Sequence, residues 1–163
     1  MKPSFDSIYM DLAQSLALRS HCTRAQVGAV LTKDTRIISI GYNGPPQGTH
    51  NCDEDFHEEG GCPKDSKGSC SLALHAEQNA ILYASKNGAS IEGSTIYVSL
   101  EPCTHVGKTP PCTLAILRLK PARVVIGSKD TTPSVAGKGI DRLRLEGIEV
   151  VEGVLEEECR ALN

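Results

Sequence analysis

A chain of 163 residues with 39% hydrophobic and 23% charged residues has the size and balance of one globular domain, which excludes a mostly disordered polypeptide. A net charge of -3 and 4% aromatic residues argue against a protein whose main partner is a polynucleotide, since that affinity rests on clustered Lys and Arg and on stacking rings; a local basic pocket for one phosphate stays open. The N-terminal "MKPSFDSIYMDLAQSLALRS" carries acids and no long apolar core, so neither a signal peptide nor a membrane partner is expected, and the expected location is cytoplasmic.

Residues 4 to 19 place Phe5, Ile8, Leu12, Leu16 and, beside them, Tyr9 at helical spacing, with Ser4 as N-cap. Two β-rich runs follow, "VGAVLT" (27–32) and "RIISIGY" (36–42), joined by "KDT", which reads as an antiparallel hairpin. From Asn43 to Ser71 the composition turns to Gly, Pro, Asp, Glu, His and Cys. A structureless loop of that length is unusual inside a compact domain, so something other than an apolar core is expected to organise it.

Periodicity returns in "LALHAEQNAILYASKNG" (72–88), a buried helix stopped by Gly88, with Lys86 in its last turn and Tyr83 assigned to the core. The chain then alternates: strand "TIYVSL" (95–100), helix 113–120, strand 122–128, helix 139–147, strand 148–153 and a short acidic helix holding Cys159 as a packing residue. Such alternation implies parallel pairing with right-handed crossovers. The expected class is α/β: one domain over 1–163, built as a three-layer α/β/α arrangement on a five-stranded mixed sheet, with a cysteine-rich insertion at about 43–71.

Seven cysteines in a chain expected in the reducing cytosol point to metal or catalysis before disulfides. His75 at a helix start, Cys103 after a strand and Cys112 at the next helix start form a ligand set that leaves a fourth position on zinc for water, whose pKa falls to about 7. Both helix N-termini favour thiolates. Glu77 lies close enough to point at that water without being a ligand. The chemistry that fits is hydrolytic deamination: the acidified water attacks an amine-bearing ring carbon, and Glu77 carries its proton to the ring nitrogen and then to departing ammonia.

A lone His-x-Glu arises by chance in many helices, and a Pro-Cys after a strand is often only a small buried hydrophobe. The argument rests on their conjunction in one α/β chain, although the usual Pro-Cys-x-x-Cys is here opened by "THVGKTPP" between Cys103 and Cys112. That stretch reads as a bulge carrying Gly107 and Lys108 into the pocket wall, with Lys108 a candidate for a substrate phosphate or a partner subunit.

These motifs resemble the zinc-dependent cytidine/deoxycytidylate deaminases. "CTRAQVGAVL", "RIISIGYNGPPQG" and "HAEQNAI" are similar to deoxycytidylate (dCMP) deaminases, while "VSLEPCTHVGKTPPC" and "ARVVIGSKDTTPSVAGKGIDRL" are similar to the deaminase domain of the riboflavin-pathway bifunctional enzyme, where the long Cys-to-Cys spacing is normal. Both resemblances imply the cytidine-deaminase-like fold, one catalytic zinc on His75, Cys103 and Cys112, and Glu77 as proton shuttle.

The dCMP resemblance implies substrate contacts at Asn43, Val27 and Ala76, a small-molecule nucleotide substrate converted to dUMP, dCTP and dTTP as effectors, and a homo-oligomer, dimer or hexamer. The riboflavin resemblance implies a phosphorylated ribosylaminopyrimidine instead. The asparagines of "GYNGPP" and "HAEQNA" and the 43–71 insertion match the dCMP side, and riboflavin-pathway enzymes usually continue into a reductase domain that 163 residues are too few to hold, so dCMP is the expected substrate, with the ribosylaminopyrimidine or a polynucleotide as alternatives. Lys86 is at most a weak effector contact; a solvated lysine at a helix C-terminus is the plainer reading.

Of the remaining cysteines, Cys22, Cys52, Cys62 and Cys70 lie in or beside the insertion. A structural zinc on these four would order that segment without a core, with His50 and His57 as competing ligands and mobile reduced thiols as the plain alternative. Some dCMP deaminases resemble this, holding a second zinc near the equivalents of Cys22 and Cys52. His21 and His105 fall in no motif and are read as structural or exposed.

Overall fold

The structure, a computed structural model, describes residues 2–22, 25–44, 74–104 and 111–163. Its elements run α1 (Phe5–Ala17), β1 (Gly28–Lys33), β2 (Arg36–Tyr42), α2 (Ala76–Lys86), β3 (Thr95–Leu100), α3 (Cys112–Leu119), β4 (Arg123–Ser128), α4 (Lys138–Leu145), β5 (Glu149–Glu152) and α5 (Glu156–Ala161). Ser4 caps α1, its Oγ accepting from the Ser7 N–H at 3.1 Å.

The sheet order is β2-β1-β3-β4-β5. β1 is antiparallel to both β2 and β3, whereas β3, β4 and β5 are parallel to one another. The mixed sheet and its five strands follow the sequence expectation. The β1–β2 turn holds Asp34 at φ 52° and Thr35 at φ 64°, the twist that tight hairpins favour. The Tyr9 hydroxyl donates to the Thr35 carbonyl and fastens α1 over this turn.

Two apolar layers enclose the sheet. On one face Ala76, Ala80 and Ala84 of α2, Ile116 of α3, and Ile140 and Leu143 of α4 pack on Leu31, Ile96, Val98, Val124 and Ile126. On the other, Tyr9, Met10 and Ala13 of α1 and Cys159 of α5 cover Val30, Tyr97 and Val125. Cys159 is fully buried, and burial raises its thiol to about 11.

Three expectations are corrected. On α1, Tyr9, Leu12 and Leu16 pack on the core as their spacing predicts, but Phe5 and Ile8 are exposed and the fully buried positions are Met10, Ala13 and Ala17. A Cβ on Gly28 would lie 1.8 Å from the Ala13 carbonyl oxygen, so α1 approaches β1 along its alanines, where backbones can meet. Helix α2 begins at Ala76 and not at 72, because Leu74 pairs with Gly44 in an isolated bridge and His75 is the N-cap. Tyr83 is 57% exposed and belongs to no core.

Candidate metal centre

Strand β3 ends at Leu100, and the chain runs through Glu101 and Pro102 to Cys103. The Cys103 carbonyl accepts from the Thr113 N–H at 3.2 Å and from its Oγ1 at 3.0 Å, which ties the strand exit to the first turn of α3. Cys112 opens that helix behind the N-cap Pro111, and its N–H donates to Cys103 Sγ at 3.3 Å. A helix N-terminus aimed at a sulfur favours the thiolate.

His75 arrives from the opposite side as the N-cap of α2, with its N–H donating to Gln78 Oε1 at 2.9 Å. The Asn79 amide donates to the Tyr42 carbonyl at 2.8 Å and holds this helix start against the end of β2. His75 Nδ1 then lies 3.1 Å from Cys112 Sγ and 3.5 Å from Cys103 Sγ. All three donor atoms fall within 4.8 Å of one another.

One imidazole nitrogen and two sulfurs are a soft, borderline donor set that suits zinc and not magnesium or calcium. A tetrahedral zinc at about 2.3 Å from sulfur and about 2.0 Å from nitrogen keeps such donors about 3.5 Å apart, close to the separations here. The residues present fit the ion, and Glu77 stands outside the donor cluster.

Charge in the cluster is unevenly shared. The hydrogen bond from Cys112 pulls the Cys103 thiol down to about 4 against the effect of burial, with His75 assisting. The same sulfur contact pushes Cys112 up. Glu77, in the first turn of α2, is 4% exposed, and burial raises its carboxyl above the usual range.

Asn43 is buried, and its carboxamide is engaged with the main chain. Its Oδ1 accepts from the Val27 N–H at 2.9 Å and its Nδ2 donates to the Ala25 carbonyl at 2.8 Å. Val27 is thereby held at the entry to β1, and Ala76 is fully buried beneath the start of α2. Cys22 is half-buried, with its N–H donating to Ser20 Oγ at 3.1 Å. Cys52, Cys62, Cys70, His50, His57, His105, Gly107 and Lys108 lie outside the described residues.

Sequence reasoning passed over Gln78, Thr113 and Glu101. The His-x-x-Gln spacing of a capping box was the available signal for Gln78. Thr113 offered no signal beyond its place after Cys112. Glu101 was legible only as the first letter of Glu-Pro-Cys.

A groove of about 430 Å³ is lined by Thr104 and Pro111, the sequence neighbours of Cys103 and Cys112, by Thr113, Leu114 and Leu117 of α3, and by Lys138 and Arg142 of α4; none of His75, Glu77, Cys103 and Cys112 lines it. No helix among the described residues is long and apolar enough to cross a membrane.

Residues 3–128 match the profile of the cytidine and deoxycytidylate deaminase zinc-binding region. The riboflavin biosynthesis protein RibD of Aquifex aeolicus is 42% identical over 97% of this chain, which spans only 37% of that protein. A diaminohydroxyphosphoribosylamino-pyrimidine deaminase of Buchnera aphidicola is 35% identical over 97% of this chain and 90% of its own length. The riboflavin likeness therefore runs through both halves of the chain. Among solved structures, the dCMP deaminase of the cyanophage S-TIM5 in complex with dCMP and dUMP superposes with a TM-score of 0.72, at 32% identity, covering 93% of this chain and 98% of that one.

Proposed function

Because the chain belongs to the cytidine and deoxycytidylate deaminase zinc-binding family, we propose that it hydrolytically deaminates a phosphorylated ribosylaminopyrimidine of riboflavin biosynthesis. The observation that carries this reading is the 35% identity to a Buchnera deaminase of that name along 90% of its length.

His75, Cys103 and Cys112 would hold zinc, which would lower the pKa of a water and so supply the nucleophile. Glu77 takes the proton of that water, gives it to the ring nitrogen as the ring carbon is attacked, and later delivers a proton to the leaving amine. One C–N bond breaks, one C–O bond forms, and ammonia leaves. Gln78 and Asn79 hold His75 and the first turn of α2 in register with Tyr42, and Asn43 fixes Val27 at the entry to β1. Lys138 and Arg142, in the groove lined by Thr104 and Pro111, carry charges suited to the substrate phosphate; Lys108, outside the described residues, stays a candidate from the sequence alone.

A second reading, dCMP to dUMP, is favoured by the "GYNGPPQG" and "HAEQNA" segments and by the 32% identity to the cyanophage dCMP deaminase. Effector control by dCTP and dTTP and a dimer or hexamer belong with it. One panel separates the two: ammonia release from the diaminopyrimidine ribosyl phosphate, dCMP, dCTP, CMP and deoxycytidine. Activity confined to the first compound supports the proposal; activity confined to dCMP overturns it in favour of the second reading.

A further inference from the structure

Glu101 is a carboxylate buried to 6% exposure, and among the described residues no Lys, Arg or His forms an ion pair with it. Main-chain amides take the place of a cation. Its Oε1 accepts from the Asp130 N–H at 3.1 Å and the Gly137 N–H at 2.9 Å. Its Oε2 accepts from the Gly139 N–H at 2.8 Å and the Ile140 N–H at 3.2 Å. The N-cap of α4 is Gly137, which has no side chain to cap with, so a residue from another element satisfies the free amides of that helix start.

The consequence is topological. Asp130 and Gly137 meet on one oxygen atom, so the chain between them is closed into a loop over the carboxyl end of β4. Cys103 leaves the carboxyl end of the adjacent parallel strand β3, two residues after Glu101. Crevices outside the carboxyl ends of parallel strands are where α/β sheets bind their ligands. The fit is close: a Cβ on Gly139 would stand 2.2 Å from the Pro102 carbonyl oxygen. The next residue after Gly137 is Lys138, which with Arg142 lines the same groove as Thr104 and Pro111, the neighbours in sequence of Cys103 and Cys112.

We infer that Glu101 is a positioning residue: its carboxylate holds the 130–140 segment as a wall beside Cys103 and so places Lys138 and Arg142 along the path of the substrate's phosphate-bearing arm. This rests on the deaminase reading above. Glu101→Gln keeps the volume but turns an amide N–H₂ towards two N–H donors, which frees half of the clamp.

The test is steady-state kinetics of Glu101→Gln on the preferred phosphorylated substrate, with zinc per chain measured alongside. KM rises at least tenfold, kcat changes less than threefold, zinc content is unchanged, and Glu101→Asp recovers part of the KM. An unchanged KM with a lowered melting temperature, or a lost zinc with a collapsed kcat, overturns the assignment. If the Gln variant does not fold, the double variant Lys138→Ala/Arg142→Ala, both exposed, raises KM in the same way; an unchanged KM there is equally fatal. Should the wild type release no ammonia from any substrate of the panel, the deaminase reading fails by itself. The clamp is then read from amide hydrogen exchange, where Glu101→Gln removes protection at Gly137, Gly139 and Ile140, and retained protection rejects it.

Discussion

Gly41 of β2 and the carbonyl oxygen of Ala76 meet so closely that a Cβ on Gly41 would stand 2.5 Å from that oxygen and 2.6 Å from the Ala80 nitrogen. Strand and helix touch backbone to backbone beside His75 and Glu77. Gly41→Ala pushes α2 off the sheet at a cost of about 1–3 kcal/mol, the usual scale of overpacking. The expected outcome is a lower melting temperature together with weaker zinc binding by chelator competition. A variant that loses stability but keeps full zinc affinity would separate the sheet contact from the metal site.

Glu77→Gln keeps the shape of α2 and removes the proton carrier. Ammonia release should fall by about 10²–10⁴-fold while metal content stays normal. A rate equal to the wild type would discard Glu77 as shuttle, and a lost metal would make it a ligand.

Replacing His75, Cys103 or Cys112 by Ala removes one of three converging donors, and each variant should lose the catalytic zinc. The proposed second ion on Cys22, Cys52, Cys62 and Cys70 adds a stoichiometric expectation. The wild type carries about two zinc ions per chain if four cysteines close a structural site, and Cys22→Ser lowers the count towards one. A wild-type value near one rejects the second site.

Far from the cluster, Asp6 accepts from Arg123 at 3.2 and 2.9 Å and from the Tyr97 hydroxyl at 2.8 Å. The Arg123 guanidinium holds the Asp6 carboxyl below its ordinary range, and burial followed by the Asp6 charge raises the Tyr97 phenol. A carboxyl depressed in the folded state stabilises fully above its unfolded pKa of about 3.9, and that contribution is lost as the pH falls through the lower folded value. Asp6→Asn should therefore cost about 1–3 kcal/mol at neutral pH and progressively less below about pH 4. Urea unfolding of both proteins between pH 7 and 2 checks this; a constant difference would show that charge is not the source.

The sheet was legible where polarity bounds an apolar run on both sides, as in "TIYVSL", whose six residues are β3 from end to end. The face of α1 was legible only in part, through Tyr9, Leu12 and Leu16. Large apolar side chains pointed to Phe5 and Ile8, but the packing partner is the bare backbone of Gly28, which favours alanines over bulk. The donor cluster was readable because His75 and Cys112 stand at helix starts and Cys103 follows three residues after a strand, positions that local patterning fixes well. The service of Glu101 was hidden because all four of its partners are main-chain amides 29 to 39 residues downstream, which no side-chain motif announces. For the substrate, the dCMP-like motifs and the chain length favoured dCMP, whereas the relatives that match 97% of the chain favour the riboflavin-pathway pyrimidine.

His75 is separated from Cys103 by 28 residues and from Cys112 by 37, yet the three donors meet within 4.8 Å. An ion that binds this folded cluster and not the unfolded chain adds stability by mass action, about 4 kcal/mol when free metal exceeds its Kd a thousandfold. The melting point of the protein is thus a function of the zinc around it. Starvation for the metal would remove catalysis and loosen the joint between α2 and α3 in the same step, leaving a less stable chain more open to proteolysis.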